Sequence, residues 1–133
     1  MELPLFSSPL TPSRVAAGFP SPADDNIECN LDLNDFLIAR PAATFHARVS
    51  GDSMIEDGIL DGDYLIVDRS IEPYNNATVV AVVNGELTVK KYLAQNGTIT
   101  LLPRNVQHQP IVIREGMEFT IWGVVRGVYR KTL

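Results

Sequence analysis

Thr78-Val79-Val80-Ala81-Val82-Val83-Asn84-Gly85-Glu86-Leu87-Thr88-Val89-Lys90-Lys91-Tyr92-Leu93 is the stretch whose reading decides the fold. From Ala77 to Val83 the chain is apolar at odd and even positions alike. A strand of that composition is covered on both faces, so it lies inside a sheet. Asn84-Gly85 then supplies two residues that accept the positive φ of a tight hairpin. The chain returns as a second strand, Glu86 to Leu93.

Working outward, the same signals recur. Asn96-Gly97 is a second hairpin turn, leading into Thr98 to Leu102. A polar loop after Pro103 precedes Ile111-Val112-Ile113. The chain closes on a long β-rich stretch, Glu118 to Tyr129, in which Gly123 and Gly127 are placed for bends or bulges. Upstream, Asp61-Gly62-Asp63 is a turn before the strand Tyr64 to Asp68, and Thr44 to Val49 alternates as a strand should. An apolar run at Leu31, Leu33, Phe36, Leu37 and Ile38, stopped by Pro41, predicts a short strand at about 35–40. Strands at intervals of about 8–12 residues, joined by Asn-Gly, Asp-Gly and Pro turns, predict a mainly β fold, a barrel or paired antiparallel sheets. That domain is expected over residues 27–133.

Residues 1–26 read differently. Prolines at 4, 9, 12, 20 and 22 remove backbone donors and favour extended geometry, so this segment is expected to be an N-terminal arm. Val15-Ala16-Ala17-Gly18-Phe19 interrupts its proline-serine texture with small and apolar residues suited to an extended path in a narrow cleft.

Charge and composition narrow the function. With 11 Lys and Arg against 16 Asp and Glu, the net charge is −5. Holding nucleic acid through its phosphates requires clustered basic residues, so direct nucleic-acid binding is not expected. No apolar run approaches the roughly 18 residues of a membrane span, and the N-terminus lacks the basic region of a signal peptide. The single cysteine, Cys29, precludes an intramolecular disulfide and suits a reducing compartment. A cytoplasmic chain with no membrane association is expected. No helix-turn-helix domain is expected ahead of the β-rich region, so a role in DNA metabolism would run through other proteins.

The chemical constellations are few. Asp52, Glu56, Asp57, Asp61, Asp63 and Asp68 crowd one stretch but lack calcium-loop spacing, and Asp beside Gly is ordinary turn chemistry. One cysteine and two histidines, His46 and His108, do not make a zinc site. No metal and no cofactor are expected. Neither histidine has the surroundings of a Ser-His-Asp triad, and His108, between Gln107 and Gln109, reads as solvated. Ser53 is not in a Gly-x-Ser-x-Gly elbow, because Ile55 replaces the second glycine. What remains is Ser53, in the bend Ser50-Gly51-Asp52-Ser53-Met54 before one helical turn, paired with a lysine from the 86–93 strand. A buried, neutral lysine takes a proton from a serine hydroxyl and makes it a nucleophile. Adjacent strand residues face opposite ways, so only one of Lys90 and Lys91 enters a shared cleft. Alternation leaves both open and leans toward Lys91, which shares a face with Leu87, Val89 and Leu93.

Six segments, taken in order, resemble one family: Gly18-Phe19-Pro20-Ser21-Pro22-Ala23, Leu31-Asp32-Leu33-Asn34, Ser50-Gly51-Asp52-Ser53-Met54, Asp61-Gly62-Asp63, Leu65-Ile66-Val67-Asp68 and Gly85-Glu86-Leu87-Thr88-Val89-Lys90-Lys91. Their spacing is similar to that of the UmuD proteins, self-cleaving subunits of SOS mutagenic polymerases and relatives of the LexA repressor's C-terminal domain. The likeness covers about residues 16–130.

This resemblance implies a distorted β-barrel of paired antiparallel sheets with an extended arm. It implies Ser53 as nucleophile, Lys90 as general base, and Ala17–Gly18 as the bond cut. Backbone N–H groups of Ser53 and Met54 are implied as oxyanion donors. The junction Ala-Gly is LexA-like, where the best-known UmuD has Cys-Gly, and the arm before it is shorter than in that relative. The resemblance further implies activation by the RecA filament on single-stranded DNA, a homodimer, and a trimmed form, residues 18–133, serving a UmuC-like Y-family translesion polymerase. Two other readings compete: a non-catalytic β module that only binds a polymerase, and a type I signal peptidase, disfavoured because no membrane anchor is expected.

Overall fold

A computed structural model describes residues 32–132. The 1–26 arm and the Ala17–Gly18 junction lie outside the described residues. The chain divides into two compact units, the first ending at Ala39 and the second beginning at Arg40.

The described part of the first unit corrects the strand expected at 35–40. Leu33–Leu37 form a short helix, α1. The Asp32 carboxylate accepts a hydrogen bond from the Asn34 N–H at 2.9 Å, which caps an otherwise unpaired donor of the first turn. Asp35 adds negative charge at the same end, where the helix dipole favours it. Leu33, Phe36 and Leu37 also stand three and four apart, a helical rather than an alternating spacing.

The second unit is mainly β, as expected. Its strands are β1 (Thr44–Arg48), β2 (Tyr64–Asp68), β3 (Thr78–Val83), β4 (Glu86–Gln95), β5 (Thr98–Leu102), β6 (Ile111–Val112) and β7 (Phe119–Tyr129). All neighbours are antiparallel, joined in one seven-stranded sheet of order β1-β2-β7-β3-β4-β5-β6. The apolar strand β3 is fourth of the seven. Both of its faces are covered. Val80 belongs to a core with Val49, Met54, Ile59, Leu65 and Val67, while Val79 and Ala81 belong to a second core with Ala77, Leu101 and Val124.

The turns follow the sequence signals. Asn84 and Asn96 take φ of 49° and 52°, each followed by a glycine at positive φ. Strand β7 pairs with both β2 and β3, and the register shifts once against each, skipping Arg126 and Trp122. These bulges fall beside Gly127 and Gly123. At Gly123 the reason is steric, because a Cβ there would lie 2.5 Å from Val67 Cγ1 and 3.3 Å from the Asp68 carbonyl.

Just past β7, Arg130 grips Asp63 with two parallel bonds of 2.6 Å and donates to the Gly58 carbonyl at 2.8 Å. Asp63 is 2% exposed. Hydrogen bonds from Arg130, and then from the Leu60 N–H, hold its carboxyl down to about 2. The C-terminal end is thereby fastened to the 58–63 turn that leads from the Ser53 bend into β2.

Candidate active site

Two pieces of chain meet at the site. The first is the connection between β1 and β2, which runs through the Ser50–Met54 bend and a 3-10 turn at Ile55–Asp57, ended by Gly58 at φ 79°. Met54 is 2% exposed and roots this connection in the first core. The second piece is β4, held between β3 and β5.

Lys90 Nζ lies 2.9 Å from Ser53 Oγ and 2.7 Å from Thr88 Oγ1. Ser53's own hydroxyl has only a 3.5 Å approach to the Val89 carbonyl, long for an O–H···O bond. Its proton is thus free to turn toward the amine. Lys90 is 7% exposed, and burial lowers its pKa below the ordinary lysine value by disfavouring the charged form. A cleft of about 420 Å³ opens over the pair, lined by Ala47, Val49, Ser53, Leu87, Lys90 and His108 among others.

The structure brings Lys90, not Lys91, to Ser53. Lys91 Nζ instead donates to the Asn76 carbonyl at 3.1 Å and pairs with Asp57 at 3.3 Å. The lean of alternation toward Lys91 is overturned for a physical reason. Val89 packs on the first core and Tyr92 on the second, so β4 has no single inward face to read.

Among the described residues, no acceptor takes the N–H of Ser53 or Met54. Hydrogen-bonding capacity is therefore available beside Ser53 Oγ. Glu56, Asp57, Asp61, Asp63 and Asp68 make hydrogen bonds and ion pairs within turns and to arginines or lysine. Among the described residues no cluster of His, Cys, Asp and Glu could hold a metal ion.

The polar loop expected after Pro103 is present, but sequence reasoning missed that it packs beside Ser53. Arg104 N–H donates to the Ser53 carbonyl at 2.7 Å, and Glu56 N–H donates to the Arg104 carbonyl at 2.8 Å. Asn105 Nδ2 donates to the Asp52 carbonyl at 2.9 Å. His108, expected to be merely solvated, lies 2.7 Å from Asp52 Oδ1 and borders the cleft. His46 is elsewhere, with Nδ1 2.8 Å from the Tyr129 hydroxyl and its ring stacked on Tyr64. Neither histidine bonds to Ser53 among the described residues. Pro103 and the polar residues after it signal a loop, but nothing in the sequence signals its approach to Ser53.

A serine held against a buried lysine in a β cleft can supply a nucleophile and a base, the two groups that a serine peptidase requires. Comparison with known proteins agrees. The Peptidase S24-like family model matches residues 9–126. Protein SamA of Salmonella typhimurium is 45% identical over 95% of this chain and 87% of its own length. Protein ImpA of Escherichia coli is 52% identical over 66% of this chain and 61% of its own. LexA repressor 1 of Xanthomonas campestris is 45% identical over 89% of this chain and 58% of its own. The chain belongs to the S24-like peptidase family, self-cleaving and SOS-related, as a UmuD-like member of its LexA/UmuD group. No helix among the described residues is long and apolar enough to cross a membrane.

Proposed function

We propose that this chain cuts its own Ala17–Gly18 bond, with Ser53 as nucleophile and Lys90 as general base. The observation that carries the reading is the 2.9 Å contact between Lys90 Nζ and Ser53 Oγ at a lysine only 7% exposed. A lysine of ordinary pKa is neutral in roughly one molecule in 2,500 at pH 7, and burial raises that fraction.

In the reaction Ser53 Oγ attacks the Ala17 carbonyl carbon while its proton passes to Lys90 Nζ. The Ser53 and Met54 N–H groups receive the negative oxygen. Collapse of the tetrahedral species breaks the C–N bond, and Lys90 returns the proton to the Gly18 amine. Water, deprotonated by Lys90, then attacks the ester carbonyl; the bond to Ser53 Oγ breaks, Lys90 returns the proton to that oxygen, and Ala17 leaves as the carboxylate end of the arm. Because substrate and enzyme share a chain, the rate scales with the fraction of time the arm occupies the cleft productively. An activator that stabilises that state accelerates cutting, and the RecA filament on single-stranded DNA is the activator proposed. The trimmed form, residues 18–133, acts in the cytoplasm as a homodimer beside a UmuC-like Y-family polymerase in translesion synthesis.

Incubating the purified chain at alkaline pH tests this. Fragments 1–17 and 18–133 are expected, faster as pH rises toward 10, and absent in Ser53→Ala and Lys90→Ala. Intact protein after prolonged incubation at pH 10 and with RecA filaments would sink the peptidase reading and leave the purely binding module.

A further inference from the structure

We infer that Asp57 is a positioning residue for Ser53 and Lys90, tying the connection that carries the serine to the strand that carries the lysine. The inference rests on the serine–lysine reading above.

Asp57 stands four residues after Ser53, at the end of the 3-10 turn. One of its carboxylate oxygens lies 3.3 Å from Lys91 Nζ, and Lys91 is the residue next to Lys90 on β4. The other accepts from Arg104 Nε at 3.0 Å. Arg104 in turn fixes the serine's own backbone, donating its N–H to the Ser53 carbonyl and accepting from Glu56 N–H. Asp57 thus joins three segments, the Ser53 connection, β4 and the 104–108 loop. Its side chain is 21% exposed and that of Lys91 26%, so these charges are partly withdrawn from solvent. The tie spans the same two segments as the Ser53–Lys90 contact, from a second point. It presses the serine connection onto β4, which also keeps water from Lys90.

The other charged groups nearby have separate partners. Glu56 accepts from the Val106 N–H, and Asp52 is engaged by His108 and belongs to the bend before Ser53. Asp61 accepts from the Gly51 N–H. Asp57 is therefore the carboxylate that neutralises Lys91 and Arg104 together. Without it two cations face each other across the seam that the site needs closed.

The test compares Asp57→Asn, Asp57→Glu, Lys91→Gln and the double variant Asp57→Asn/Lys91→Gln with the unaltered chain. Self-cleavage is followed between pH 7 and 10 at low and high salt. Lys90 is also titrated by NMR in a Ser53→Ala background, where no cleavage intervenes. Asp57→Asn is expected to slow cutting about three- to tenfold at pH 7, the scale set by two partly exposed ion pairs. The deficit shrinks toward pH 10 because a hydrated Lys90 titrates at higher pH. Asp57→Glu restores most of the rate. The double variant is no slower than Asp57→Asn alone; salt slows the unaltered chain, partly restores Asp57→Asn by screening the facing cations, and has little effect on the double variant.

An unchanged Lys90 titration together with an unchanged rate in Asp57→Asn would overturn the tie while leaving the serine–lysine chemistry intact. If the unaltered chain does not cut, the peptidase reading fails, and the NMR titration alone decides whether Asp57 keeps Lys90 buried.

Discussion

Thr88 and Lys90 stand two apart on β4, and the lysine amine donates to the threonine hydroxyl at 2.7 Å. The hydroxyl and Ser53 Oγ together fix where Nζ points. A flexible four-carbon side chain otherwise samples many rotamers, and misplacing a catalytic group by about 1 Å costs up to about a hundredfold. Thr88→Val preserves shape and removes the hydroxyl, so cleavage is expected to fall ten- to a hundredfold, while Thr88→Ser retains most of it. Equal rates in all three proteins would refute the role.

Lys90 also carries a stability cost. Its folded pKa lies below the unfolded value, so in the window between the two the unfolded chain binds more protons and stability rises with pH. Below the folded pKa the charged amine is buried and the cost is complete. Lys90→Met is accordingly expected to be more stable than the unaltered chain at pH 7 by roughly 1 kcal/mol, while being unable to cut. Urea denaturation at pH 7 and pH 10 checks this, with the advantage of the variant smaller at pH 10.

Asp63 supplies a stabilisation rather than a cost, and its contribution also rises with pH. Its carboxyl is held at about 2 by Arg130, below the ordinary 3.8. The stabilisation it supplies is whole above about pH 4 and disappears as pH falls through about 2. Arg130→Ala leaves a buried carboxylate without its guanidinium partner. Thermal unfolding at pH 7 is expected at a lower midpoint in that variant, and the gap from the unaltered chain narrows in acid. A constant gap from pH 7 to pH 2 would contradict this account.

Gly123→Ala should destabilise by about 1–3 kcal/mol, because its Cβ would overlap Val67 Cγ1 and crowd the Asp68 carbonyl. Gly97→Ala has open space around it but forces a positive φ of 77° on alanine, a cost of about 1 kcal/mol. Denaturant midpoints for the two variants should fall in that order.

Much of the sheet was readable because turn residues and apolar runs act locally. Asn84-Gly85 and Asn96-Gly97 sit at the hairpins they predict, and the doubly apolar β3 lies mid-sheet. The 35–40 run misled because apolar content was weighed above the Asp32 cap and the helical spacing of Leu33, Phe36 and Leu37. The lysine facing Ser53 was not readable from alternation, since both faces of β4 are covered. Arg104, Asn105 and His108 were invisible as neighbours of Ser53 because they lie about fifty residues away along the chain, and no local pattern encodes that approach.

The place of β7 in the sheet has a consequence for timing. Ser53 hangs from the β1–β2 pair and Lys90 belongs to the β3–β4 ladder, and among the described residues β7 is the strand that joins those ladders. Among the described strands it is also the last to be synthesised. A nascent chain that has not yet delivered residues 119–129 therefore holds a serine and a lysine with no common sheet to align them. Self-cutting is expected to begin only once residues 119–129 have emerged and paired, so the arm stays attached until then. A chain truncated at Met117 that still cut itself would disprove this.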